Sequence, residues 1–250
     1  MSTHSLVSTA PDQVTDVWAA GGVGILEDIV AGLASGADQF DDSPFAVARR
    51  EETADRVVTV LGARAWHALP EASHGRARRA ARRAVAYSLA ADAALAGGHA
   101  TARSDCWTLT VHALELLTVA AHFDAVTDRT RELLGSPPEG RLLAAWQMVN
   151  DGLAVLGTTR HEWVGADPAI VAAAGGVLVD RLSRVLIAAA LVAQAATATL
   201  PSPTTELLVN AARRYAWNHV RGPAPEAATP THVHRSADLV RAFATRGILP

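Results

Sequence analysis

The sequence predicts an all-α fold, a single bundle of about eight helices. Apolar residues recur at steps of three and four, and no alternating strand pattern stands out. Hydrophobic residues make up 50% of the 250 but aromatics only 5%, so the apolar mass is mostly Ala, Val and Leu, which suits closely packed helices. Pro and Gly fall between the periodic runs, where helices start and stop. No composition break splits the chain, so residues 1–250 read as one domain, with N-terminal helices over 1–70 and a main body over 71–250.

The first helix is expected from Pro11 to Ala34, with Val14, Trp18, Ile25, Ile29 and Leu33 on its apolar face. Gly21, Gly22 and Gly24 interrupt it, and a kink or a close helix crossing is the expected reason, because no strand precedes them to build a phosphate loop. Ser43-Pro44 reads as an N-cap followed by proline at N1. The helix after it carries Val57, Val58 and Leu61 and is expected to end near Gly62. Its Glu51, Glu52 and Asp55 read as a solvated face. A third helix, Glu71 to Leu95, opens with EASHGRARRAARRA; Arg76, Arg79 and Arg83 share one face, Arg78 and Arg82 another. By residue type this too reads as a solvated face.

The stretch from Ser104 to Gly135 reads as one long helix and the organising element of the chain. Ser104 is its expected N-cap, and Trp107, Val111, Leu114, Leu117, Ala121 and Ala125 its buried stripe. Asp124 and Asp128 share a face near its end; such carboxylates can hold divalent cations, or pair with neighbours such as Arg129 and Arg131. A fifth helix is expected over Pro138 to Leu156, with Leu142, Leu143, Trp146 and Leu153 inward, stopped by Gly157. Thr159 and Glu162 have capping-box spacing. Asp167-Pro168 opens a long apolar helix to about Thr199; Asp180, Arg181 and Arg184 cut it into runs too short for a membrane span, so it reads as a core helix. Ser202-Pro203 starts a seventh helix carrying Leu207, Leu208, Ala211, Tyr215 and Trp217, and the last runs near Ser236 to Thr245.

Net charge is -3, which gives no nucleic-acid signature. The lone Cys106 excludes an internal disulfide or a multi-Cys metal site and reads as a small core residue. Every Lys/Arg position is Arg, which we read as coding bias. MSTHSLVSTAPDQ has neither a basic n-region nor an apolar h-region, so a cytoplasmic protein is the default expectation.

From about residue 71 the chain resembles the trans-polyprenyl diphosphate synthases. His74-Gly75-Arg76-Ala77-Arg78-Arg79-Ala80 is similar to the family's G-G-K-R-x-R-P block. Ala113-Leu114-Glu115-Leu116-Leu117, leading to Phe123-Asp124-Ala125-Val126-Thr127-Asp128, resembles the first aspartate-rich helix, and NDGLAVLG from Asn150 a later family helix. ADLVRAFATRGIL resembles the segment before the second aspartate motif, about where the chain stops. Ala125 replaces the middle aspartate, Leu133 and Leu134 replace the paired arginines, and Arg76 stands for the lysine.

The resemblance implies the isoprenoid synthase fold. It implies Mg2+ at Asp124 and Asp128 and a prenyl diphosphate held by Arg76 and Arg79, with Arg129 and Arg131 close by. With no opposing carboxylates, it implies a catalytically impaired partner or regulatory subunit in isoprenoid metabolism, paired as a homo- or heterodimer with a helical synthase. The alternatives are an active prenyltransferase or class I terpene synthase, drawing further ligands from His122, His161, Glu162 or Asp151, and a non-enzymatic all-α binding protein. Under the first reading Asp124, Asp128, Arg76 and Arg79 converge on one apolar cavity; under the last they point to water.

Overall fold

The computed structural model describes residues 11–37, 43–69, 76–96, 101–163, 166–198, 202–221 and 230–246. Among these there is no strand. The elements are α1 (Pro11–Asp16), a π segment (Val17–Gly21), α2 (Gly22–Ala37), α3 (Pro44–His67), α4 (Arg76–Leu95), α5 (Ala102–Leu117), α6 (Ala120–Leu134), a 3₁₀ turn (Gly140–Leu142), α7 (Leu143–Glu162), α8 (Pro168–Thr197), α9 (Pro203–Tyr215), a second π segment (Ala216–Arg221) and α10 (Pro230–Arg246).

The centre of the bundle is α8, not the Ser104–Gly135 stretch. From Leu182 to Val192 every residue except Arg184 is buried. The helix packs against α3, α4, α5, α6, α7 and α9. Its Ala-rich middle lets neighbours approach closely. Gly62 shows how closely: a Cβ there would stand 2.3 Å from Ile187 Cγ2. Gly62 is therefore a crossing point rather than a stop, and α3 continues to His67.

The 104–135 stretch breaks at Thr118-Val119, where Val119 turns extended (ψ 111). The helix also begins earlier than expected, at Ala102, and Ser104 bonds back to the Thr101 carbonyl instead of capping. Its expected stripe is largely out of phase, although Leu114 does pack against the core. Trp107 is 72% exposed, and Ala121 and Ala125 face solvent, whereas Leu109, Ala113, Phe123 and Val126 are buried. The predicted end at Gly135 is correct: its φ is +60, the left-handed region that favours glycine.

The N-terminal helix runs unbroken from 11 to 37, and of Gly21, Gly22 and Gly24 only Gly22 marks a close crossing, the other two having nothing within 4 Å. Val14, Trp18, Gly22, Leu26, Val30 and Ala34 are all buried, a strict four-residue step. An ideal helix of 3.6 residues per turn drifts off such a stripe, and the wider π turn takes up the excess. Gly22 then sits under Trp18 and Leu89 of α4, where a Cβ would meet the indole at 2.9 Å.

Three caps are as read. Ser43 accepts from the Ala46 N–H at 3.3 Å, Asp167 from Ala169 at 2.8 Å and Ser202 from Thr205 at 3.1 Å, each followed by proline. Gly157 does not end α7, which continues to Glu162 and leaves Thr159 and Glu162 inside its last turn rather than as a cap. Leu143 is mostly turned outward. The expected helix start at Glu71 and the His74-Gly75 part of the resemblance lie outside the described residues.

One helix, Gln13–Ser35, is long and apolar enough to cross a membrane by composition; inside the bundle it is partly buried.

Candidate functional site

Of the residues picked out by the synthase resemblance, Asp124, Asp128, Arg79, Arg129 and Arg131 are all exposed. Asp124 and Asp128 lie on the exposed face of α6. Asp128 accepts from Arg131 Nη1 at 2.6 Å, and Arg129 donates to Glu132 at 2.7 Å, both within one helical turn. Arg79 is exposed on α4 and lines a cleft of about 190 Å3 with Thr15, Asp16, Arg82 and Arg83. The side chain of Arg76 lies outside the described residues. The rest of the arginine run is not one solvated face. Arg82 pairs with Asp16 at 3.1 Å, and Arg83 is buried and donates to the His112 carbonyl at 3.0 Å. Among the described residues no group of three or more Asp, Glu, His or Cys could hold a metal. Of the further ligand candidates, His161, Glu162 and Asp151 are exposed and His122 is half-buried.

The polar groups that do converge are elsewhere. Inside the bundle, Asp180 and Arg184 sit one turn apart on α8, with Arg184 Nε donating to Asp180 at 2.7 Å. The same guanidinium donates through Nη1 to His219 Nδ1 at 2.6 Å. Arginine can only donate, so Nδ1 is the acceptor and the ring proton sits on Nε2. Burial and the neighbouring Arg184 push His219 down to about 4, so it is neutral near pH 7. Its ring stacks on the buried Tyr215, centroids 4.4 Å apart. Burial raises the phenol far above its usual range, although Ser88 hydrogen-bonds it. Close by, burial lifts Asp92 to about 6 against the pull of Arg184 and Arg56.

The His219 Nε2–H is buried and meets no acceptor among the described residues. Other atoms of His219 border a groove of about 540 Å3 between α7, α8 and the second π segment. One wall is apolar, from Met148, Val155, Leu156, Val185 and Val220; Arg181 and Arg221 add positive charge, and Gln147 and Asp151 complete the rim. Gly152 makes the groove narrow at its base, since a Cβ there would stand 2.9 Å from Val220 and 3.0 Å from Val185. The π segment is what turns His219 inward and Arg221 onto the Trp217 ring, 4.3 Å from its centroid. Such π turns are frequent at functional sites.

A second network ties α3 to α9 and α10. Arg214, almost fully buried, donates to Asp55 at 2.7 Å, to Glu51 at 2.9 Å and to Ser236 at 2.6 Å, and Asn218 also reaches Asp55 at 2.7 Å. His232 bonds Glu51 at 2.8 Å. Glu51 and Asp55 are thus partners of a buried guanidinium and not the solvated face that their spacing implies; only Glu52, paired with Arg56, keeps that role. The one signal for this was Arg214 itself, an arginine in register with Leu207, Ala211 and Tyr215.

No family model, no curated protein and no solved structure matches this chain.

Proposed function

We propose that this chain is a non-catalytic all-α binding protein whose α7–α8 groove takes an amphipathic anion, a ligand with an apolar tail and an anionic head. The observation that carries it is the groove itself, about 540 Å3, with one apolar wall and the Arg181 and Arg221 side chains in its lining. Arg181 and Arg221 supply charge for the same head, and Met148, Val155, Val185 and Val220 a surface for the tail. A prenyl diphosphate belongs to this ligand class, and so does a fatty acid.

A second reading, an impaired partner subunit of a prenyl diphosphate synthase, draws on the exposed face that Asp124 and Asp128 share. A second chain docking there would bring the carboxylates that this one lacks, and magnesium with them.

Calorimetry with a non-hydrolysable farnesyl diphosphate analogue separates the two readings. The groove reading expects binding without magnesium, weakened about tenfold or more by Arg181→Gln/Arg221→Gln and unchanged by Asp124→Ala/Asp128→Ala. Binding that needs both magnesium and the aspartates would overturn it in favour of the second reading. No binding of this analogue or of a long-chain fatty acid would overturn the amphipathic-anion reading altogether.

A further inference from the structure

A second cavity, distinct from the groove, lies in the seam between α9 with its π extension and α10. Its wall on the first side is Asn210, Arg213, Arg214 and Trp217; on the other it is His232, Arg235 and Leu239. The spacings match, with steps of three, one and three on the first side and three and four on the second. Each set is one helix face, and the two faces meet. A seam of this kind is ordinarily filled by apolar side chains. Here it holds cations around a space of about 250 Å3.

The charges are not balanced from within. Glu51 and Asp55 contact the cluster through Arg214, and Glu51 also through His232; neither lines the cavity. Arg141, nearby, is matched by Glu206 and Asn210. Arg213 and Arg235 meet no carboxylate among the described residues. They repel each other, and burial, Arg235 and Arg141 together hold the Arg213 guanidinium below its ordinary range. A guanidinium can only donate. The seam therefore collects two cationic groups that meet no carboxylate among the described residues.

We propose that this seam binds a phosphate oxyanion, held between the Arg213 and Arg235 guanidinia. A tetrahedral oxyanion has enough oxygens to accept from both, and charge-assisted bonds to arginine are among the strongest available. The cavity, about 250 Å3, has room for part of an ester substituent, so free phosphate and the end group of a small phosphomonoester both fit. Arg214 stays occupied by its carboxylates and forms the back wall.

The test is a titration of the whole chain with inorganic phosphate and, separately, phenyl phosphate, at constant ionic strength set with chloride. Binding is read by calorimetry and by the indole N–H resonances in an ¹⁵N spectrum, assigned with Trp217→Phe. Saturable binding that moves the Trp217 resonance and weakens about tenfold or more in Arg213→Gln/Arg235→Gln supports the site. The stronger of the two ligands tells free phosphate from ester. The Gln pair removes a like-charge contact, so its melting temperature is expected to match or exceed that of the wild type. No saturation by about 10 mM phosphate, an equal response to chloride alone, or full binding in the Gln pair would each overturn the proposal.

Discussion

Asp92 and His219 are displaced in directions that oppose each other in the pH dependence of stability. Asp92 titrates at about 6 in the fold against 3.8 in its unperturbed state, so between these values the folded chain holds a proton that the unfolded chain has lost. Stability therefore falls as pH rises through that window. His219 titrates at about 4 against 6.5, so between those values the unfolded chain holds the extra proton and stability rises with pH. The two slopes largely cancel from about pH 4 to pH 6. Asp92→Asn is expected to unmask a rise with pH of about 1 kcal/mol per unit, and His219→Gln a fall of similar size. Urea unfolding at several pH values reads both, and parallel profiles for the two variants would refute the assignment. Arg214→Ala leaves Glu51 and Asp55 without their buried cation and is expected to cost about 3–5 kcal/mol. Glu52→Ala, which breaks only an exposed pair with Arg56, is expected to stay within about 1 kcal/mol. Cys106 is expected to react slowly with thiol reagents at neutral pH, because burial and Asp105 lift it to about 11.

At the scale of elements, glycine decides where helices touch. Gly62→Ala would press a methyl into Ile187 and Leu191 on the central helix. A helix propensity gain of about 1 kcal/mol opposes overpacking that costs about 1–3 kcal/mol. Because the contact is as short as 2.3 Å and Ile187 is fully buried, we expect net destabilisation. Gly32→Ala in α2 has nothing within 4 Å and is expected to stabilise by about 0.5–1 kcal/mol. Thermal melts of the two variants should shift in opposite directions. Helix starts were legible wherever Ser or Asp preceded Pro, as at Ser43, Asp167 and Ser202, since a cap depends on a few neighbouring residues. The phase of α5 and α6 was not. Ala, Thr and His fill so much of that stretch that two stripes fit its periodicity, and only packing against α4 and α8 chooses between them. The glycine reading at Gly62 failed for a related reason, because a helix stop and a close crossing look the same until the partner helix is known.

At the scale of the whole molecule, the all-helical character was written in composition and period, whereas the convergence of polar groups was not. Asp180 and Arg184 were visible as charges in an apolar helix, but their partner His219 lies 35 residues on from Arg184. Glu51 and Asp55 meet Arg214 across separations of 163 and 159 residues, and no local spacing announces such a pair. The synthase resemblance drew attention to Asp124 and Asp128, which stand on the outer face of α6, while the inward-facing acids include Glu51 and Asp55 of α3, Asp92 of α4 and Asp180 of α8. Gly152→Ala tests the groove as a whole: a methyl between Val220 and Val185 is expected to weaken ligand binding more than it lowers the melting temperature, since the groove wall can shift outward.

The Arg214 clamp also sets a timetable. A chain emerging from the ribosome presents Glu51 and Asp55 early, while the arginine that neutralises them is added 159 residues after Asp55. At about 5–20 residues per second the acidic pair waits roughly ten to thirty seconds for its cation. The central helix, added in that interval, can already seat Ile187 over Gly62, so the apolar half of the α3 interface can close before its polar half. The last two helices then act as a latch, and a nascent chain halted before Ser202 should be open to protease along α3 in a way the released protein is not.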